Sequence, residues 1–361
     1  MKLKFAGVGL TLIAALIVGC AKSSDDGSKA ADATPAKPAP PTGSVNITGA
    51  GATFPYPLYK IWFEKYKSMG AVDYQAIGSG KGIEQLKGGA VDFGASDAPL
   101  NDEDEKAIPN TIHLPMVGGA VALGYNLPGF SGDLNLTPEV IAAIYLGKIT
   151  KWNDPAIAAA NAGQALPDLK ITSVHRSDSS GTTYIFTNYL KAISPEWAAQ
   201  RGAGKTIDWK IGVAGDKSDG VSNLVNRAPG AIGYFELTYA LAKKLTFAAV
   251  KNKAGNFVKP SVASTQAAIG DFSDALVKDI KAPTVNAPGA QSYPIAGVTY
   301  ILLRKQGGTP GTAAAANMWA WALKKEQQDQ AKEQNYAPLP DALIKIDKES
   351  LKTIPGAQIN P

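Results

Sequence analysis

Residues 175–183, HRSDSSGTT, place an arginine, an aspartate, three serines, a glycine and two threonines directly before a helix-like run of Tyr184, Ile185, Phe186, Tyr189 and Leu190. Hydroxyl oxygens at a helix start accept the free N–H groups of the first turn, so the stretch can be read as a generous cap. It can equally be read as an anion site, with hydroxyls, exposed amides and a helix dipole all presenting donors to one oxyanion. Two other stretches, GAGATF (49–54) and GSGKG (78–82), share the character of RSDSSGT (176–182). In each, glycine and a hydroxyl residue stand where a helix offers unpaired N–H groups, and glycine lets the backbone approach a ligand closely. One such turn carries little meaning; three in one chain suggest a common target.

Other chemistry is poorly supplied. The phosphate-cradling nucleotide loop needs a glycine five residues before its Gly-Lys, where this chain has Gln75, and a Ser or Thr where it has Gly82. The dinucleotide fingerprint fails at Phe54, which replaces its last glycine. The two histidines, His113 and His175, come without a nucleophile elbow, and no His/Cys metal set exists. His175, on a strand beside Arg176, points to the opposite face and reads as a bystander. The acidic run Asp102-Glu103-Asp104-Glu105 follows Asn101 and reads as solvated charge at a helix N-terminus. No catalytic residue, metal or cofactor is expected.

The elements that must position the three turns alternate between strand and helix. Residues 45–49 read as a strand before the first turn, followed by a helix with Leu58, Ile61, Trp62, Tyr66 and Met69 on one face. Residues 72–77 read as a strand before the second turn, and Ile83 and Leu86 follow in a short helix that Gly88-Gly89 stops. VDFGAS (91–96) leads as a strand into Asp97, a helix runs from Pro138 to Gly147, and a strand at 170–175 precedes the third turn. This alternation predicts an α/β architecture with largely parallel sheets. The apolar passages 114–125 and 293–304 are candidate crossings between two lobes, and a helix over 312–325 with Trp319 and Trp321 packs back onto the first lobe.

The chain has 361 residues, enough for two cores, with ordinary proportions of hydrophobic (45%) and charged (19%) residues. Residues 1–20 read as a secretory signal, too short and wrongly flanked for a membrane-spanning helix. Of the formal charge of +5, Lys2 and Lys4 lie in that segment, leaving +3, which is too small and dispersed to argue for nucleic acid. Cys20, the only cysteine, ends the signal in IVGC, a string that resembles the bacterial lipobox, in which the cysteine is lipidated. Residues 21–44 are a Pro/Ala-rich tether.

GAGATFPYPLY, AIGSGKGIEQL, VDFGASDAPL, IYLGKITKWND, HRSDSSGTTYIFTNYL, PGAIGYFE and YPIAGVTYIL occur in order and spacing that resemble the phosphate-binding proteins of the bacterial high-affinity phosphate ABC transporter. The resemblance runs from about Thr48 into the final third of the chain. It implies a type II periplasmic-binding-protein-like fold: lobe I from 45–117 and 298–361, lobe II from 118–297, two crossover strands, and one dehydrated phosphate between the lobes. Carried over by motif, the phosphate donors are Thr53 and Phe54, Ser79, Arg176, Ser180, Gly181 and Thr182. Asp97 accepts a phosphate O–H, and Asp178 orients Arg176. Lys81, where the family commonly has a further serine and glycines, is expected at the rim. The implied partners are inorganic phosphate, membrane-embedded permease subunits with their cytoplasmic ATPase, and the membrane itself through a lipid on Cys20. The protein is expected to be an extracytoplasmic monomer that binds no nucleic acid. Competing readings are a binder of another tetrahedral anion (sulfate, molybdate, arsenate) or a secreted phosphate-ester hydrolase. Sulfate or molybdate would not need Asp97 as acceptor; a hydrolase would need a metal set or an activated nucleophile.

Overall fold

The computed structural model describes residues 46–359, so the expected export signal, its Cys20 and the tether to residue 44 lie outside the described residues. Within them the strands form a nine-stranded sheet and a small three-stranded one. The large sheet runs in the order Ala71–Gln75, Asn46–Gly51, Phe93–Ser96, Ala296–Arg304, Thr111–Tyr125, Ala231–Glu236, Thr172–Arg176 and Val213–Gly215. Thr246–Phe247 pairs with the long strand off this path.

The expectation of largely parallel pairing holds only at the two flanks. Asn46–Gly51 is parallel to both its neighbours, and so is Thr172–Arg176. The middle is antiparallel, because the chain passes through it in both directions. Thr111 to Ala120 pair with Arg304 to Ala296, and Val121 to Tyr125 continue against Glu236 to Ile232. The passages expected to be crossings are therefore these two central strands, and one of them changes partner between Ala120 and Val121.

Helices cover the flanks through apolar stripes. Helix Tyr56–Tyr66 buries Leu58, Tyr59, Trp62 and Tyr66, a three-and-four-residue rhythm that makes one face of a helix. Met69, expected on that stripe, lies beyond the helix end and is 52% exposed. The late helix stops at Ala322 and the chain restarts at Lys325, because Lys324 takes an extended conformation. Its Trp319 sits 4.8 Å from Tyr59 and 5.1 Å from Phe93 between ring centres, which fixes this helix against the first flank. On the other flank, helix Gly181–Ile193 buries Ile185, Phe186, Tyr189 and Leu190, and Phe186 stacks on Tyr234 at 4.5 Å.

Candidate functional site

The three turns leave the carboxyl ends of parallel strands, where open α/β sheets present their crevices. Asn46–Gly51 delivers Thr53 and Phe54, Ala71–Gln75 delivers Ser79, and Thr172–Arg176 ends on Arg176 itself. Phe93–Ser96 lies beside the first of these and delivers Asp97. All eight expected binding residues are buried, as Thr53, Ser79, Asp97, Arg176, Ser180 and Thr182 are each no more than 5% exposed.

The first turn is held by tyrosines from distant parts of the chain. Tyr239 Oη donates to the Thr53 carbonyl at 2.6 Å, and Tyr336 Oη donates to the Phe54 carbonyl at 2.7 Å. With both carbonyls occupied, the turn is pinned so that its remaining backbone polarity is that of its amides.

At the second turn Gly78 has φ 92°, a left-handed conformation that glycine adopts without strain. A side chain there would also meet Asp178 Oδ2. Ser79 Oγ accepts from Gly181 N–H at 3.1 Å and, at 3.4 Å, from Asp97 N–H. An oxygen that already accepts twice has its own proton left to give. Lys81 is exposed.

The third turn carries the charge. Arg176 donates from Nε to Asp178 Oδ1 at 2.7 Å and from Nη2 to Asp178 Oδ2 at 2.6 Å, a two-pronged pair whose side chains are 2% and 8% exposed. Lys217 N–H adds a bond to Asp178 Oδ1 at 3.1 Å. Burial alone would raise the Asp178 pKa, but the Arg176 hydrogen bonds and charge outweigh it and hold the carboxyl below its usual range. Arg176 is thus held in a fixed pose, with Nη1 facing Thr182 Oγ1 and Ser218 Oγ, each at 3.4 Å. Tyr234 Oη accepts from Arg176 N–H at 3.1 Å and lies 2.7 Å from Thr183 Oγ1, joining strand to helix. Ser180 caps that helix by accepting from Thr183 N–H at 3.1 Å. The cap reading of RSDSSGT is thus made by Ser180, while the Gly181 N–H donates to Ser79 Oγ and Thr182 keeps a first-turn amide with no carbonyl one turn earlier.

Asp97 is the buried acceptor among these donors. Thr299 Oγ1 donates to its Oδ1 at 2.8 Å. Burial pushes its pKa up to about 7, against the lowering effects of the Thr299 bond and the Arg176 charge.

Sequence reasoning missed two members. Thr299 belongs to a central strand and carried no local signal. Ser218 is fully buried and lies 2.9 Å from Thr53 Oγ1, in helix Lys217–Arg227 directly after strand Val213–Gly215. Its signal was present, because GDKSDG (215–220) is a fourth strand-to-helix turn with glycine and a hydroxyl. The acidic run is only partly solvated. Asn101 does cap its helix, accepting from Asp104 N–H, but Asp104 is buried rather than solvated and pairs with Lys87 at 3.1 Å and Lys205 at 3.2 Å. His175 stacks on Trp209, 4.9 Å between ring centres, away from the cluster around Arg176. Among the described residues no group of three or more His, Cys, Asp or Glu side chains could hold a metal ion.

Residues 34–326 match the family model described as a PBP superfamily domain. The chain is 42% identical over 357 residues to the phosphate-binding protein PstS of Xylella fastidiosa (strain 9a5c), covering 96% of this chain and 97% of that protein. It is 41% identical over 316 residues to the phosphate-binding protein PstS of Pasteurella multocida (strain Pm70), covering 86% and 91%. A structure of the high-affinity periplasmic phosphate-binding protein PfluDING, bound with phosphate, superposes with a TM-score of 0.69 at 22% identity, covering 88% of this chain and all of that one. These relatives are binding proteins by name.

Proposed function

The chain belongs to the PBP superfamily and, within it, to the phosphate-binding proteins of the bacterial phosphate ABC transporter, and from that premise we propose that it captures one inorganic phosphate outside the cytoplasmic membrane and passes it to a permease. The observation that carries this reading is the composition of the buried cluster. Hydroxyls, backbone amides and one guanidinium supply donors, and Asp97, the carboxyl outside the Arg176–Asp178 pair, supplies an acceptor.

In this reading the backbone amides of Thr53, Phe54 and Thr182, the Gly181 amide shared with Ser79 Oγ, the hydroxyls of Thr53, Ser79, Ser180 and Thr182, and the Arg176 guanidinium bind the phosphate oxygens. The ion pair with Asp178 neutralises Arg176, so helix dipoles and oriented donors rather than net charge stabilise the anion. Asp97 and the phosphate share a proton in a short charge-assisted hydrogen bond. Sulfate, which carries no proton, would set a bare oxygen against ionised Asp97, the form that prevails above about pH 7, where water cannot screen the repulsion. Binding is the whole chemistry, and no bond is made or broken.

The lobes are 45–117 with 298–361, and 118–297; they close by bending where strand Thr111–Tyr125 changes partner. A monomer tethered by residues 21–44 to a lipid on Cys20 presents the closed form to the permease.

Calorimetric titration of the purified chain with phosphate, sulfate and arsenate tests the ligand. Strong heat with phosphate and none with sulfate is expected, and saturable sulfate binding of equal strength would overturn the assignment. The anchor is tested by membrane fractionation of Cys20→Ser, which should appear in the soluble extracytoplasmic fraction; unchanged retention would remove the lipid.

A further inference from the structure

We propose that Ser218 is a positioning residue that aims the Thr53 hydroxyl proton at the bound anion, by relaying the donor character of Arg176 through its own hydroxyl. The inference rests on the anion-binding reading above and adds a residue that the sequence did not place in the site.

Arg176 Nη1 can only donate, and it reaches Ser218 Oγ at 3.4 Å. Having accepted there, Ser218 turns its single proton to the other oxygen in reach, Thr53 Oγ1 at 2.9 Å. Thr53 Oγ1 then accepts, and its own single proton is left to point into the site. Each hydroxyl in isolation could act in either sense, and an isolated Thr53 could offer a lone pair to the anion as readily as a proton. Were Ser218 to accept from both Arg176 and Thr53, its own buried proton would have no hydrogen-bonded acceptor among the described residues, so the relay is the arrangement that leaves every proton placed once the anion takes that of Thr53. Hydrogen bonds in such a chain also polarise one another and so strengthen the last donor. Arg176 acts in the same way on Thr182 Oγ1, also at 3.4 Å. Two backbone amides do so for Ser79.

The surrounding structure holds the relay in place. Gly215 pairs with Arg176 across the parallel strands, so the helix carrying Ser218 starts beside the guanidinium. Lys217 takes φ 59°, a left-handed conformation rare for a side-chain-bearing residue, and its N–H binds Asp178. That carboxylate therefore fixes both the arginine and the turn that delivers Ser218. Thr53 and Ser218 are 5% and 0% exposed, so water does not compete for either hydroxyl.

A double-mutant cycle with phosphate, read by calorimetry on the full chain, tests the relay. Ser218→Ala is expected to weaken phosphate binding roughly two- to thirteenfold, the range for one net hydrogen bond. Thr53→Val removes the final donor, and adding Ser218→Ala to it should cost nothing more. Thermal unfolding of the ligand-free proteins reports any purely structural loss, and Ser218→Cys, similar in volume with a weak S–H donor, replaces an alanine variant that does not fold. Unchanged affinity in Ser218→Ala overturns the relay, and so do losses that multiply in the double variant. If the parent protein itself fails to bind phosphate, the ligand assignment fails instead, and the same cycle is read with the oxyanion that the parent does bind.

Discussion

Gly181 and Asp97 approach so closely that a Cβ on Gly181 would lie 2.6 Å from the Cβ, backbone N and Oδ2 of Asp97. The glycine sits at the start of the helix that the third turn feeds, and the aspartate follows a strand of the opposite flank. Contact of this kind needs both flanks to be together. Gly181→Ala should leave the ligand-free protein folded but prevent full approach, weakening phosphate binding about 5- to 150-fold, as overpacking by one methyl costs about 1–3 kcal/mol. Calorimetry with solution scattering checks it, because the variant should also fail to compact when phosphate is added. A variant that binds and compacts like the parent would show that the contact does not govern closure.

Among the described residues, Arg176 is the only arginine or lysine side chain hydrogen-bonded to the site's hydroxyls. Arg176→Ala leaves Asp178 buried without its partner and should weaken phosphate binding by about 2–5 kcal/mol. Arg176→Lys should recover only a part, since an ammonium cannot hold both Asp178 oxygens and also face Thr182 and Ser218. A loss below tenfold for the alanine variant would mean that dipoles and hydroxyls carry nearly all of the binding.

Asp97 should govern both selectivity and a pH dependence. Asp97→Asn removes the charge that opposes sulfate while keeping a carbonyl that accepts from phosphate, so selectivity should fall more than phosphate affinity. Competition of the two anions against parent and variant gives the answer, and undiminished exclusion of sulfate would remove Asp97 as discriminator. The folded pKa of about 7 lies above the unfolded value of 3.8. The stabilising contribution of Asp97 is therefore full below about pH 4, declines as pH rises, and is gone above about pH 7, at roughly 1.4 kcal/mol per pH unit within that window. Glu236, also buried and raised to about 8, titrates over an overlapping range. The difference between the ligand-free stability profiles of parent and Asp97→Asn isolates Asp97, and two parallel profiles would contradict the assignment.

Lys205 joins Asp104 at 3.2 Å, with side chains 17% and 12% exposed, and its carbonyl accepts from Ser180 N–H at 2.8 Å. The ion pair thus connects the acidic helix of one flank to the loop that holds the helix cap of the other. Lys205→Met keeps the backbone bond and removes the charge. Phosphate affinity should fall about two- to fivefold, near the upper range for a partly shielded pair, and should depend less on added salt than in the parent. Identical salt profiles would show that the pair plays no part in closure.

Much of this was legible in residue types and short spacings. A cap is decided within four residues, so Ser180, Asn101 and the glycine at 78 could be assigned from their neighbours. Helical stripes were readable for the same reason, although Met69 shows that a stripe does not mark where its helix ends. The alternation of elements indicated the α/β class, and the order of blocks indicated the family.

Tertiary structure decided which distant groups meet and how dry they are. Thr53 and Ser218 are 165 residues apart, and Asp97 and Thr299 are 202 apart. No local rule joins such pairs, because their meeting depends on a sheet whose middle strands run antiparallel between parallel flanks. Burial is likewise a property of the assembled layers. It raises Asp97 to about 7, while the same effect on Asp178 is overcome by Arg176 two residues away. Residue type supplies the donors and acceptors; desolvation and partner geometry, which exist only once the chain has folded, determine which of them carries a proton and where it points.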